Sequence, residues 1–301
     1  MPPPLSVIMS AYNADRYLRE ALDSILNQTF RLFEFIIIDD GSTDGTPQIL
    51  HEYKARDKRI EVISRPNKGL TISLNEALAR ANAPLIARMD CDDVAMPDRF
   101  EKQVQYFTDH PECVLLGSRV NLIDPFGGHI ALGDYMKLTH EEIDADLLKG
   151  RGGSVVHPSA MMRADALWKV GGYREKYNNS EDLDLWLRLA EIGRVANLPD
   201  VLLKYRRHPD SVSHMKYENQ WTLKKNIVAE AYARRGLKFP DNWTFNPWRP
   251  KPVDLQYREW GWQQLKAGNK AIARKNAWAA LKTSPRSAAS WKLLICALRG
   301  W

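Results

Sequence analysis

The sequence of 301 residues has little cysteine: only Cys91, Cys113 and Cys296 occur, far apart and odd in number. They suggest neither a disulfide framework nor a zinc site, which suits a reducing cytosol. Long apolar runs are also missing. A membrane-spanning helix needs about 20 apolar residues, and no stretch approaches that length. The opening MPPPLSVIMSAYNA lacks a basic stretch ahead of its short apolar run, so it does not read as a secretory signal. A cytoplasmic protein is expected, with a peripheral place on the cytoplasmic membrane face left open. Two phosphate-binding patterns are absent as well. The first strand ends in SAYNAD rather than G-x-G-x-x-G, and no G-x-x-x-x-G-K-[ST] occurs. A dinucleotide fingerprint and a P-loop are thereby excluded.

Acids are scarce in the last part of the chain. From Trp248 onward eleven basic residues face two acids, a net of +9 in a chain whose total is +6, so the preceding residues sum to −3. The same segment holds six of the ten tryptophans. Such a segment suits an anionic membrane surface, a protein partner or, less well here, nucleic acid. It equally suits a small helical unit whose aromatics form its own core.

What is abundant is strand–helix alternation over the first hundred residues. LSVIMSA (5–11), FEFIIID (33–39), IEVIS (60–64) and PLIARMD (84–90) read as strands. Between them residues 15–28 carry Leu18, Leu22, Ile25 and Leu26 at helical spacing, Thr46-Pro47 supplies an N-cap and first-turn proline, and LTISLNEALARAN (70–82) is a third helix. The pattern argues an α/β fold with helices on both faces of the sheet. In such sheets ligands bind beyond the carboxyl ends of the strands.

Two acidic clusters fall at such ends. Asp39-Asp40 closes the second strand, inside FIIIDDGSTDGT (35–46), and Asp90-Cys91-Asp92-Asp93 closes the fourth. Three carboxylates within four residues are hard to keep ionised together without a cation. Oxygen donors in that number suit Mg²⁺ or Mn²⁺, ions that bridge phosphates. A third cluster, Glu181-Asp182-Leu183-Asp184, opens a helix whose Leu183, Trp186, Leu187 and Ala190 face a core. Acids there favour the helix dipole, the structural alternative to a chemical role.

The motifs LSVIMSAYN, FIIIDDGSTDGT, RPNKGLTISLNEAL, ARMDCDDVAMPDRF, VVHPSAMMR, YNNSEDLDLWLRLAEIG and YRRHPDSVS stand in order across roughly residues 4–215. Together they resemble the family 2 inverting glycosyltransferases of the GT-A fold, a Rossmann-like mixed sheet. Ser10 stands where that family often has proline, and Leu74 where an arginine often precedes the asparagine matched by Asn75.

The resemblance implies a hexosyltransferase taking a nucleotide-sugar donor, UDP-linked as the first expectation, to a growing glycan or lipid-linked acceptor. By the same likeness, Ala11 and Tyr12 would meet the donor, with Tyr12 against the base and Asp39 accepting from a uracil-like N3–H. Asp40 would support the turn rather than touch ligand. Asp90 would meet the ribose and Asp92 would hold the divalent metal, with Asp93 as the alternative in the second register. His208 matches a metal ligand of some relatives. Asp182 would be the base that deprotonates the acceptor, with Glu181 as second candidate. His157 either shapes the acceptor side or is a satisfied core histidine.

The expected organisation is a transferase domain over 1–217, a helix and Pro/Trp-rich linker over 218–245, and a basic helical unit over 246–301. In that unit Tyr257, Gly261, Gly268, Ala273, Ala280 and Pro285 fall at spacings resembling one tetratricopeptide repeat, against which residues 287–298 should pack as a third helix. Two rival readings exist. DCDDV also fits a haloacid-dehalogenase-type phosphatase, although that fold puts its motif on the first strand. A non-catalytic carbohydrate-binding or scaffold protein would not need both Asp92 and Asp182.

Overall fold

The computed structural model describes residues 2–133, 136–209, 211, 220–245 and 251–300. Asp210, Val212 and Ser213 of the YRRHPDSVS motif and residues 246–250 of the linker lie outside the described residues.

The strands are β1 (Leu5–Ala11), β2 (Phe33–Asp39), β3 (Ile60–Ser64), β4 (Leu85–Asp90), β5 (Val94–Ala95), β6 (Cys113–Ile123), β7 (His129–Leu132), β8 (Met161–Arg163) and β9 (Arg194–Arg206). The helices are α1 (Asp15–Leu26), α2 (Thr46–Arg56), α3 (Leu70–Arg80), α4 (Arg99–Asp109), α5 (His140–Leu147), α6 (Ala164–Val170) and α7 (Glu181–Ala190). They are followed by α8 (Gln220–Arg234), α9 (Val253–Lys266), α10 (Lys270–Thr283) and α11 (Ala288–Arg299). The strand order is β3-β2-β1-β4-β8-β6-β9-β5. The first four run parallel, whereas β8 meets β4 and β6 antiparallel and β5 meets β9 antiparallel. The sheet is therefore mixed, and the chain reverses its direction of winding between β1 and β4.

The continuous apolar runs follow from burial on both faces. Ile8, Ile36, Ile38 and Ile86 join Leu74, Ala77 and Leu78 of α3 and Trp186 of α7 in one core cluster. The alternate residues Val7, Met9, Phe35 and Ile37, which the pleat turns the other way, are fully buried too. The parallel register sets Ala11 beside Asp39, and Ser10 beside Asp90. Both acidic strand ends thus lie on one edge, at the switch point between β1 and β4.

Contacts divide the chain into two compact units. The first comprises residues 1–120, 134–204 and 219–246; the second comprises 121–133, 205–218 and 247–301. This differs from a single cut near 217. Within the second unit, Phe126 and Ile130 pack on Tyr257 and Trp260. There Gln264 donates to the His129 carbonyl at 2.6 Å, and Asn276 to Asp124 at 2.8 Å. A hairpin from the middle of the sequence therefore belongs with the C-terminal helices. Residues 219–246 also do more than link: Ile227, Val228 and Ala231 of α8 enter the core of the first unit. In the second unit α11 packs as expected, with Leu293 and Leu294 against Ala277 and Leu281. Gly261 allows that approach, since a Cβ there would lie 2.6 Å from Leu293.

Candidate functional site

The loops after β1 and β2 are laced together by polar side chains. Asn13, in the left-handed region at φ 49°, accepts from the Thr43 N–H at 2.8 Å, and its own N–H donates to Ser42 Oγ at 3.0 Å. Thr46 does not cap its own helix. It is the first residue of α2, after an N-cap at Gly45; its Oγ1 accepts from the Ala14 N–H at 2.8 Å, while Asp44 accepts from the Thr46 N–H at 2.9 Å. Against this frame Ala11 is buried and its carbonyl receives the Asp40 N–H at 2.8 Å. Tyr12 stands half exposed at the end of β1, its ring open to solvent.

The adjacent aspartates Asp39 and Asp40 have different tasks. Asp40 is saturated: Oδ1 accepts from Lys68 N–H at 2.8 Å, Oδ2 from Gly69 N–H at 2.9 Å, and Arg65 closes an ion pair on it. It ties the β2 turn to the RPNKG loop, the supporting role expected of it. Asp39 is buried and accepts from Ser42 N–H at 3.1 Å, at the tip of β2. Gly41 makes the crossing feasible, since at φ 77° a Cβ would lie 2.6 Å from Asn67 N.

Asp90, Asp92 and Asp93 each bring a carboxylate oxygen within 4.8 Å of the others. Asp93 is buried and the other two are half exposed. Arg88, two residues before Asp90 on the same strand face, is buried and ion-paired with it. Burial opposes the Arg88 charge, but Asp90 outweighs this and keeps its pKa above the ordinary value. The donor set is hard, anionic and oxygen-only. It fits a divalent cation such as Mg²⁺ or Mn²⁺.

The third acidic cluster forms the first turn of α7. Asp184 is not a candidate for chemistry, because Arg174 and Arg188 hold it in full burial. Asp182 is half exposed; its Oδ1 accepts from Leu183 N–H at 2.7 Å. Gly152 lies over it, so that a Cβ there would sit 3.4 Å from both carboxylate oxygens. Glu181 is buried, with Oε2 lacking any hydrogen-bond partner. Burial first, then the neighbouring Asp182 charge, raises its pKa to about 7. His157 sits 4.0 Å from Glu181, bonds Tyr173 at 2.8 Å and meets Trp186 edge-on. Burial, followed by the Arg88 charge, holds His157 well below its usual pKa, so it stays neutral. It behaves as a satisfied core histidine. Buried Tyr173 interacts electrostatically with Arg88, Glu181, Asp182 and Asp90, and so joins the strand-end and α7 clusters in one neighbourhood.

Sequence reasoning passed over Arg88, Tyr173, Gly152 and Lys224. Lys224 on α8 interacts with Asp182 and places its ammonium 4.3 Å from the Phe245 ring centroid. A detectable signal existed for Arg88, a lone cation inside the apolar strand LIARMD. His208 is buried, past β9, and counts with the second unit.

The glycosyl transferase family 2 profile matches residues 6–171. The chain belongs to glycosyl transferase family 2. The O-antigen biosynthesis glycosyltransferase WbnJ of Escherichia coli is 36% identical over 212 residues, covering 69% of this chain and 81% of WbnJ. The crystal structure of S. aureus TarS 1-349 in complex with UDP-GlcNAc aligns over 100% of this chain and 92% of that one, with TM-score 0.59 and 16% identity. The mannosyltransferase PcManGT from Pyrobaculum calidifontis, in complex with GDP-Man and Mn²⁺, covers 99% of this chain with 81% of its own, with TM-score 0.56 and 17% identity. At these identities the two structures speak for the fold alone. Membership of family 2 makes the chain a glycosyltransferase and sets aside the phosphatase alternative.

Proposed function

We propose that this family 2 enzyme transfers a hexosyl group, with inversion, from a UDP-linked sugar to a hydroxyl of a growing glycan or lipid-linked acceptor. The observation that carries the reading is the pair of acidic centres. One lies at the β1/β4 switch point and the other at the start of α7, with Arg88 and Tyr173 between them. Two centres in one neighbourhood suit one site for a departing diphosphate and another for an incoming hydroxyl. WbnJ's role in O-antigen biosynthesis agrees with a glycan acceptor, and the two solved structures of this fold carry UDP-GlcNAc in TarS and GDP-Man in PcManGT.

In this reading Tyr12 lies against the base, Ala11 and Asp39 bound the nucleoside, and Asp90 meets the ribose. Asp92, with Asp93 as the alternative, would hold Mn²⁺ or Mg²⁺; when bound, the cation offsets charge on the departing diphosphate. Asp182 removes the acceptor proton as the acceptor oxygen bonds to the anomeric carbon and the bond to phosphate breaks. Burial raises the Glu181 pKa to about 7, so near neutrality this neighbour of Asp182 is only partly ionised. A thermal-shift panel of nucleotide sugars tests the donor and metal together. UDP is expected to raise the melting temperature markedly more with Mn²⁺ than with EDTA. Equal shifts in both would remove the metal, and a larger shift with GDP would replace the base.

A further inference from the structure

The tryptophans of the basic C-terminal region do not all serve one purpose. Trp260 is buried, and Trp262 packs between the apolar clusters of the helical unit. Trp278 and Trp291 remain 52% and 49% exposed. On α11 the exposed Trp291 is followed by Ile295 at 46% and Leu298 at 54%, whereas Leu293, Leu294 and Ala297 point into the unit. Positions 291, 295 and 298 share one helix face. Lys292 and Arg299 fall beside that stripe, all five within about 120° of the wheel. On α10 Trp278 is likewise flanked by the exposed Lys275 and Lys282.

The charge of this region is not neutralised from within. No acid follows Glu259, while eight lysines and arginines do. Its two acids are already paired, Asp254 with Arg258 and Glu259 with Lys251. An outward stripe of Trp, Ile and Leu edged by cations, without acids, complements a surface apolar within and anionic at its rim. We propose that the exposed face of α11 docks this enzyme on an anionic lipid surface. The aromatic and aliphatic groups enter the headgroup region while Lys292 and Arg299 reach the lipid phosphates. No helix among the described residues is long and apolar enough to cross a membrane, so the contact is peripheral. An acidic protein partner would have to bring a groove shaped to enclose Trp291, Ile295 and Leu298, whereas a headgroup layer admits such side chains without one.

The test uses the full chain and co-sedimentation with vesicles. Binding is expected to phosphatidylcholine containing phosphatidylglycerol, not to phosphatidylcholine alone, and to fall as salt is raised. Lys292→Gln with Arg299→Gln should weaken it by about tenfold or more. Ile295→Ser with Leu298→Ser should weaken it comparably, and Lys54→Gln with Lys58→Gln, the same charge change on exposed residues of the first unit, should leave it unchanged. Far-UV circular dichroism checks that each variant keeps its helices. Absence of vesicle binding by the unaltered protein, or binding by the α11 variants as strong as that of the unaltered protein, overturns the proposal. So does a change of oligomeric state on Ile295→Ser with Leu298→Ser without vesicle binding, which would make the face a self-association surface.

Discussion

Asp92 and Asp182 are both half exposed, yet their surroundings assign them different losses. Asp182→Asn preserves volume and can still accept the Leu183 N–H, but an amide takes no proton. Transfer should fall roughly 100- to 10,000-fold with nucleotide affinity retained. Asp92→Asn should instead weaken nucleotide and metal binding together. Measuring the transfer rate and UDP affinity for both variants separates the two, and near-normal transfer by Asp182→Asn would move the base to Glu181. Glu181 itself supplies a pH prediction. Its folded pKa of about 7 lies above the unfolded value of 4.5. Between those values the unfolded chain ionises while the native one keeps its proton, so this residue's contribution to stability declines as pH rises from about 4.5 to 7 and is level above. Glu181→Gln, lacking that proton, should gain on the unaltered protein by up to a few kcal/mol across the window. Urea midpoints at the two ends of that pH range check it, and parallel curves would show Glu181 to be ionised when folded.

At the scale of elements, the donor side depends on one crossing of two loops. Gly41→Ala forces a side chain into the left-handed region and against Asn67 N. A cost of about 1–3 kcal/mol is expected, with loss of UDP binding exceeding the loss of stability, since Asp39 lies two residues away. Denaturant midpoints and UDP titration measure the two separately. These elements also show what a sequence discloses. β1 and β2 kept their expected bounds, because strands buried on both faces are written mostly in apolar residues, and the partly buried edge strand β3 kept its bounds as well. α1 and α3 ended about one half-turn earlier than the helical periodicity suggested, at Leu26 and Arg80. β8, only three residues long, and β5, only two, carry no period to detect. At the site, Asp90, Asp92 and Asp182 were legible as acids out of place. Arg88 left a signal as the lone cation of an apolar strand, two residues from its partner Asp90, whereas Tyr173 left none, because Arg88, Asp90, Glu181 and Asp182 meet it only in the fold.

At the scale of the whole molecule, the second unit draws on separate parts of the chain. Deleting residues 246–301 should therefore not leave a clean transferase core: Phe126, Ile130 and Asp124 would lose Tyr257, Trp260 and Asn276. Such a truncation is expected to aggregate, and adding Phe126→Ser with Ile130→Ser should restore solubility, as size-exclusion chromatography would show. A truncation that is monomeric without those changes would mean the hairpin does not depend on the helices. The same interleaving bears on synthesis. Residues 121–133 leave the ribosome more than a hundred residues ahead of the helices that cover them. At about 5–20 residues per second the hairpin waits several seconds for its partners. In that interval Phe126 and Ile130 are a temporary apolar tip on a nascent chain, exposed to association with other chains until the helices arrive to cover it.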